Sequence, residues 1–241
     1  ILILMKKPLK MINSCEALKK NIIRKFGTPC AVVDLDVVDK NIQRAQNLCD
    51  AAGLRNRPHI KTHKSAYFAK LQMAQGAIGV TCQKLGEAEV MVNEGITDII
   101  IATNIIGAAE TGRLTELQKK VPVRCCADSL YTLNVYSKAA QRSSIPIEVL
   151  IECDTGLERA GVETPDDVIT LAKAIKLDPW LRFSGLLFYP PTNCWQSTQA
   201  FFDQTLKKLK HIGLKPEIVS TGGTPNLKNL GRLDGATEHR A

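Results

Sequence analysis

Short apolar runs alternating with helical patterns constrain this chain more than any other feature. Starting at the segment around Lys61, strand-type runs fall at 78–82, 98–102, 121–125, 147–152, 183–188, 216–220 and 236–239. Helical patterns lie between them at 65–75, 84–94, 108–120, 130–142, 165–177 and 199–212, several closed by a glycine such as Gly76, Gly95 or Gly213. Thr164 reads as an N-cap, with Pro165 at the first helical position and Asp166 and Asp167 in the first turn, where free N–H groups and the helix dipole favour them. Parallel neighbours need a crossover between them, so strands alternating with helices of this length imply βαβ units and a parallel sheet. Eight such units in 241 residues predict an α/β chain folded as a (β/α)8 TIM-type barrel. An open doubly wound sheet is the alternative. Its dinucleotide-binding version has no support, because no GxGxxG follows the first strand.

Ahead of the barrel, residues 1–27 form a separate lead-in, with a Lys-, Leu- and Ile-rich helix expected over 8–27 and ended by Gly27-Thr28-Pro29. The barrel domain is expected over 28–241. It opens with the strand-type run Cys30–Asp34, then a helix capped by Asp36 and running through Leu48, with Val37, Asn41, Ala45 and Leu48 on one stripe. Ile1 to Leu4 are apolar, but Lys6 and Lys7 follow them rather than precede them. That order, and the shortness of the run, argue against a signal peptide or a membrane span. A cytoplasmic protein is expected.

Composition narrows the partners. The net charge of +8 suits anionic ligands, yet many lysines fall on helix faces, as in Lys207, Lys208 and Lys210, which suits solvation. No basic patch is interleaved with aromatics of the kind that stacks bases, so nucleic acid is not expected. The eight cysteines are scattered singly apart from Cys125-Cys126. They form neither CxxC pairs nor a Cys/His cluster at metal-ligand spacing, so reduced thiols and no metal site within the chain are expected.

The chemistry concentrates in Arg57-Pro58-His59-Ile60-Lys61-Thr62-His63-Lys64-Ser65. On a strand, side chains alternate, which puts His59, Lys61 and His63 on one face. Cationic and imidazole neighbours disfavour the protonated amine, the condition under which a lysine acts as a nucleophile toward a carbonyl. In a barrel the working groups lie at the carboxyl ends of strands, and phosphate is often held after strands seven and eight. The loop after the seventh strand is Ser220-Thr221-Gly222-Gly223-Thr224-Pro225, whose glycines let backbone N–H groups approach an anion. Glu152, Asp154, Glu158 and Arg159 follow the fifth strand; Arg159 reads as an anchor for an anionic ring oxygen, or as a partner of Asp154 or Glu158. Tyr189 closes the sixth strand, and Gln83 and Asn104 are further polar candidates. A lysine facing a phosphate cradle suggests a phosphorylated aldehyde held as an imine, either a sugar phosphate or pyridoxal phosphate.

RPHIKTHK at 57–64, DTGLERAGV at 154–162, STGGTP at 220–225 and ATEHRA at 236–241 together resemble the D-threonine aldolase/D-serine dehydratase group. These are fold-type III pyridoxal-phosphate enzymes related to alanine racemase, and the resemblance runs from about Thr28 onward. It implies that Lys61 is the Schiff-base lysine, that Arg159 contacts the phenolic oxygen of pyridoxal 5'-phosphate, and that Tyr189, Gly222, Gly223 and Thr224 hold its ring and phosphate. His59, Gln83 and Ser220 complete the expected cofactor set. The implied activity is a lyase reaction on D-amino acids, retro-aldol cleavage of D-threonine-like 3-hydroxy amino acids first and D-serine dehydration next, with a homodimer among the assemblies the resemblance allows.

Members of that group continue into a C-terminal β-domain carrying a divalent-metal pair, a His and a Cys or Asp two residues apart. His59, His63, His211 and His239 form no such pair. A metal is therefore expected only where a further domain supplies its ligands. Two expectations stand side by side: a fragment with weak or no turnover, and a single-barrel, non-catalytic pyridoxal-phosphate carrier.

Overall fold

The computed structural model describes residues 2–5 and 15–241. Residues 8–14 of the expected lead-in helix lie outside the described residues; the rest is helix α1 (Cys15–Phe26). Ahead of it, β1 (Leu2–Met5) pairs in parallel with β2 (Ala31–Asp34). This two-stranded sheet stands apart from the barrel sheet, so the strand expected at Cys30–Asp34 exists without joining the barrel. Asp34, not Asp36, caps α2 (Leu35–Ala51), its carboxylate accepting the N–H groups of Asp36 (2.9 Å) and Val37 (3.2 Å). Both aspartates have the right side chain, but the chain is still extended at Asp34, as a cap requires, and already helical at Asp36.

The barrel strands are β3 (Arg55–Asn56), β4 (Val80–Cys82), β5 (Ile99–Ile101), β6 (Arg124–Ala127), β7 (Ile147–Cys153), β8 (Leu181–Phe188), β9 (Ile218–Thr221) and β10 (Glu238–His239). Helices α3 (Ala66–Ala74), α4 (Leu85–Asn93), α5 (Ala108–Lys120), α6 (Leu130–Ser143), α7 (Pro165–Leu177) and α8 (Trp195–His211) connect them. Helix α8 begins four residues earlier than its expected start at 199, and Thr164 caps α7 as expected, accepting the Asp167 N–H. All eight strands are parallel, in the order β3-β10-β9-β8-β7-β6-β5-β4. The seam between β3 and β4 is closed by an isolated bridge between His59 and Thr81 and by Ile78 N–H to Asn56 O (2.9 Å), Thr81 N–H to Pro58 O (2.8 Å) and Ile60 N–H to Thr81 O (2.9 Å). The sheet is a closed barrel, not the open doubly wound alternative.

Strand alternation sorts the core into two regions. Ile99, Ile101, Cys125, Ala127, Val149, Ile151, Leu186 and Val219 face the helices and join one large cluster with their inner faces. The intervening residues Ile100, Cys126, Leu150, Leu187 and Ile218 form a second cluster in the lumen. Toward the amino ends of the strands the lumen is filled with charge. Arg57, 2 % exposed, reaches Glu238 (3.0 Å) and Asp98 (2.6 Å), and Arg124 ties Asp98 (2.7 Å) to Glu148 (2.7 Å). Among the described residues no helix is long and apolar enough to cross a membrane.

Candidate active site

Five residues at the mouth occupy the same position on five strands. Gln83, Ala102, Tyr189, Gly222 and Arg240 each immediately follow the last residue of β4, β5, β8, β9 and β10, and all five line one cavity of about 240 Å3. Glu152, the penultimate residue of β7, and His59, Lys61, Thr62, Arg159, Gly223 and Thr224 complete most of its wall. The barrel's closure brings together residues as far apart in sequence as 59 and 240.

Lys61 is not on a strand, as expected, but in a turn. Pro58 has no N–H to offer the ladder, so regular pairing stops there. The backbone resumes contact through His59 N–H to Ala241 O (2.9 Å) and then curls, Lys64 N–H reaching Ile60 O (2.7 Å). Alternation survives for three residues: His59 and Lys61 line the cavity while Ile60 points into the core. It fails at His63, which turns away, accepting the Ser65 N–H (3.1 Å) and packing edge-on against Phe68 (5.6 Å).

The Lys61 Nζ lies 5.9 Å from the Tyr189 ring centroid, and the Arg159 guanidinium 4.9 Å from the same centroid. Partial burial, then the Arg159 and Arg240 guanidiniums, lower the Lys61 pKa, opposed by Glu87. His59 accepts the Lys61 N–H on Nδ1 (3.3 Å). Burial, with Lys61 and Arg240 nearby, pushes its pKa down to about 3, so the imidazole is neutral at physiological pH. Arg240 is buried: its Nη1 donates to Ser220 Oγ (2.7 Å) and its Nη2 to Phe188 O (2.8 Å). Burial lowers its pKa, yet a guanidinium stays charged.

The glycine loop is backbone by necessity. A Cβ at Gly222 would enter the His239 imidazole, and one at Gly223 the Tyr189 ring. The loop is pinned by Asn226, whose N–H donates to Gly223 O (2.9 Å) and whose Nδ2 donates to Pro190 O (2.9 Å). Thr224 is exposed at the cavity wall.

Three expected residues stand elsewhere. Ser220 is fully buried below the cavity, its hydroxyl donating to Glu238 (2.6 Å) while accepting from Arg240. It supports Arg240 rather than lining the wall. Asn104 lies outside the lining set. Asp154 spends its carboxylate on the N–H groups of Gly156, Leu157 and Arg159 (2.7–2.9 Å), folding the loop that carries Arg159. It partners the Arg159 backbone, not its guanidinium.

Arg240 is the residue that sequence reasoning passed over. Its signal was present in the ATEHRA stretch, at the carboxyl end of the last strand.

Residues 33–240 match the protein family described as alanine racemase, N-terminal domain. The chain is 34% identical over 210 residues to the 3-hydroxy-D-aspartate aldolase of Paracoccus denitrificans (strain Pd 1222), covering 82% of this chain and 54% of that protein. It is 34% identical over 228 residues to the D-threo-3-hydroxyaspartate dehydratase of Delftia sp. (strain HT23), covering 90% and 60%. The crystal structure of D-threonine aldolase from Filomicrobium marinum superposes with a TM-score of 0.83 at 32% identity, over 88% of this chain and 60% of that one. The chain thus spans between about half and three fifths of the length of these relatives.

Proposed function

The chain belongs to the alanine racemase N-terminal domain family, and from that premise we propose that its cavity binds pyridoxal 5'-phosphate and serves a lyase acting on D-amino acids that carry a 3-hydroxyl. Retro-aldol cleavage is the first reaction proposed and dehydration the second. The observation that carries the reading is the meeting of Lys61, Arg159 and Tyr189 with the side-chain-free Gly222–Gly223 loop in one cavity. The named activities of the relatives, aldolases and dehydratases of 3-hydroxy D-amino acids, support the substrate class.

The residues present fit such a group. The fully packed glycine loop leaves backbone donors for a phosphate, Tyr189 offers a ring face, and Lys61, Arg159 and Arg240 give the wall a cationic balance. Bound there, the cofactor would supply a sink for electron density leaving the substrate's α-carbon.

The chain's own residues supply the rest. The lowered pKa of Lys61 keeps more of its amine unprotonated near neutrality, which an attack on an aldehyde requires. The same amine can hold the proton that the α-carbon loses or regains. Neutral His59, accepting the Lys61 N–H, fixes the turn that presents the amine without adding a competing charge. Arg159, held over Tyr189 by a loop that Asp154 folds, is oriented toward an anionic oxygen. Arg240 adds a fixed positive charge at the floor.

Among the described residues no group of three or more His, Cys, Asp or Glu side chains could hold a metal ion. The assay for this reading therefore runs with and without a divalent metal. The protein with pyridoxal phosphate is offered D-threonine, 3-hydroxy-D-aspartate and their L-enantiomers. Release of glycine and aldehyde, or of ammonia and keto acid, confined to the D-series is expected. Turnover of the L-series would contradict it, and cofactor binding with no turnover of either series would favour the non-catalytic carrier.

A further inference from the structure

Glu152 is a buried carboxyl with no partner. It is 6 % exposed and lines the cavity, and while its backbone carbonyl accepts the Val162 N–H (2.9 Å), its carboxylate makes no hydrogen bond or ion pair with any described residue. Two neighbouring carboxylates are engaged: Glu87 accepts the Gln83 N–H (2.7 Å) and faces Lys64 (3.4 Å), and Asp154 is taken up by its own loop. Glu152 is also the one side-chain carboxyl among the described residues of the cavity wall, beside Lys61, Arg159 and Arg240. Evolved interiors do not leave a carboxyl unpaired without cost. Here the free valence points into the space a ligand would fill.

The groups around it come from several elements. Arg240 follows β10, Arg159 and Asp154 lie in the loop after β7, Asp128 follows β6, and the Cys126 and Cys153 thiols flank it, while Leu187 of β8 presents only an apolar surface. The Arg240 guanidinium is already committed to Ser220 and Phe188. No fixed donor therefore meets the Glu152 oxygens.

We propose that binding of a phosphate-type anion in this cavity is coupled to the uptake of one proton by the Glu152 carboxyl. The reason is charge balance in a confined space. With the carboxyl ionised, the wall carries a negative charge that repels the incoming anion and offers it no donor. Protonated, Glu152 is neutral and becomes a hydrogen-bond donor. Burial, reinforced by Asp128 and Asp154 and opposed by Arg240 and Arg159, raises its pKa, the direction in which an incoming anion would push it further. The carboxyl thereby makes the site selective, favouring anions at low pH and releasing them as pH rises. His59 and His239 do not compete, because burial holds them down to about 3 and about 4.

This inference rests on the reading that the cavity takes an anion, and the test separates the two. Sulfate is the probe, since its charge is constant over the range used. Its binding is followed by calorimetry from about pH 5 to pH 8, a span above the ordinary carboxyl range, in buffers of different ionisation heat. Wild type is expected to take up a proton on binding and to lose up to about tenfold in affinity per pH unit once Glu152 ionises in the free protein. Glu152→Gln, an isostere, is expected to bind without that uptake and with a flatter profile; deprotonation of Lys61 weakens both proteins alike. The buffer-dependent heat of wild type gives the answer even where the variant folds poorly, and Gly223→Ala, which crowds the glycine loop, locates the ion by abolishing its binding. Equal pH profiles, no proton uptake, or sulfate heats that survive Gly223→Ala would overturn the coupling while leaving the cavity's assignment intact. Failure of both sulfate and pyridoxal phosphate to bind would overturn both.

Discussion

The Arg159 guanidinium sits 4.9 Å from the centroid of the Tyr189 ring, joining the loop after the fifth barrel strand to the end of the sixth. A cation over a phenol face contributes about 0.5–1 kcal/mol at exposed sites. Tyr189→Phe keeps the ring face and is expected to change pyridoxal-phosphate affinity by less than about threefold. Tyr189→Ala removes both the cation contact and the stacking surface and is expected to weaken it by roughly tenfold or more. A fluorescence titration of the three proteins measures this; equal losses in Phe and Ala would mean that the hydroxyl, not the ring, matters.

Gly223 abuts the same ring, and a Cβ there would enter the Tyr189 edge. Gly223→Ala is expected to displace Tyr189 and abolish cofactor binding, with a modest loss in melting temperature because the site is at the surface of the core. Gly112→Ala is the control. It lies in α5 with nothing within 4 Å of its added methyl, and the helix should gain about 0.5–1 kcal/mol. Retained binding in Gly223→Ala would show that the close contact is dispensable.

His239 gives the fold an acid-labile element. It is 1 % exposed, beneath Gly222 and bonded to the Gly223 backbone, and burial with Arg240 nearby lowers its pKa from 6.5 to about 4. A depressed imidazole stays neutral in the folded chain while the unfolded chain takes up the proton. Its contribution is therefore present above pH 6.5 and is lost as pH falls toward 4, on the order of 3 kcal/mol in full. His59 acts with the same sign. Melting curves between those limits should fall steeply for wild type and less steeply for His239→Asn. Parallel slopes would remove His239 from the account.

Arg57 binds Glu238, which is fully buried, and Asp98 in the lumen. Arg57→Met strands the Glu238 charge and should cost about 3–5 kcal/mol in denaturant unfolding. The double variant Arg57→Met/Glu238→Gln should recover part of that, since the orphaned charge is gone. A single substitution costing less than about 1 kcal/mol would mean that water reaches Glu238.

These residues mark where sequence reading succeeded and where it stopped. The strand–helix rhythm was legible because each unit has a local period and a local stop, such as the apolar run 99–101 after Gly95 or Thr164-Pro165 at the start of α7. Lys61, Arg159, Tyr189 and the glycine pair were legible because barrel geometry sends strand ends to one mouth. The turn at Lys61 was hidden because Pro58 interrupts pairing without changing the alternation that precedes it. Asp34 and Asp36 carry the same side chain, and only backbone conformation separates them. Arg57 stood out only as a cationic neighbour of Lys61, and Glu238 and Arg240 only as part of the ATEHRA stretch. The burial of Arg57 and Glu238 rests on a pairing across 181 residues, and that of Arg240 on partners 20 and 52 residues away, which only the closed barrel brings together.

The most direct test is covalent. Protein mixed with pyridoxal phosphate is reduced with borohydride, digested and analysed by mass spectrometry, for wild type and Lys61→Ala. The account predicts one dominant phosphopyridoxyl adduct on Lys61, an absorption change near the visible edge before reduction, and loss of both in the variant. Labelling spread over surface lysines, or a signal unchanged in Lys61→Ala, would contradict the claim that this cavity is a pyridoxal-phosphate site built around Lys61.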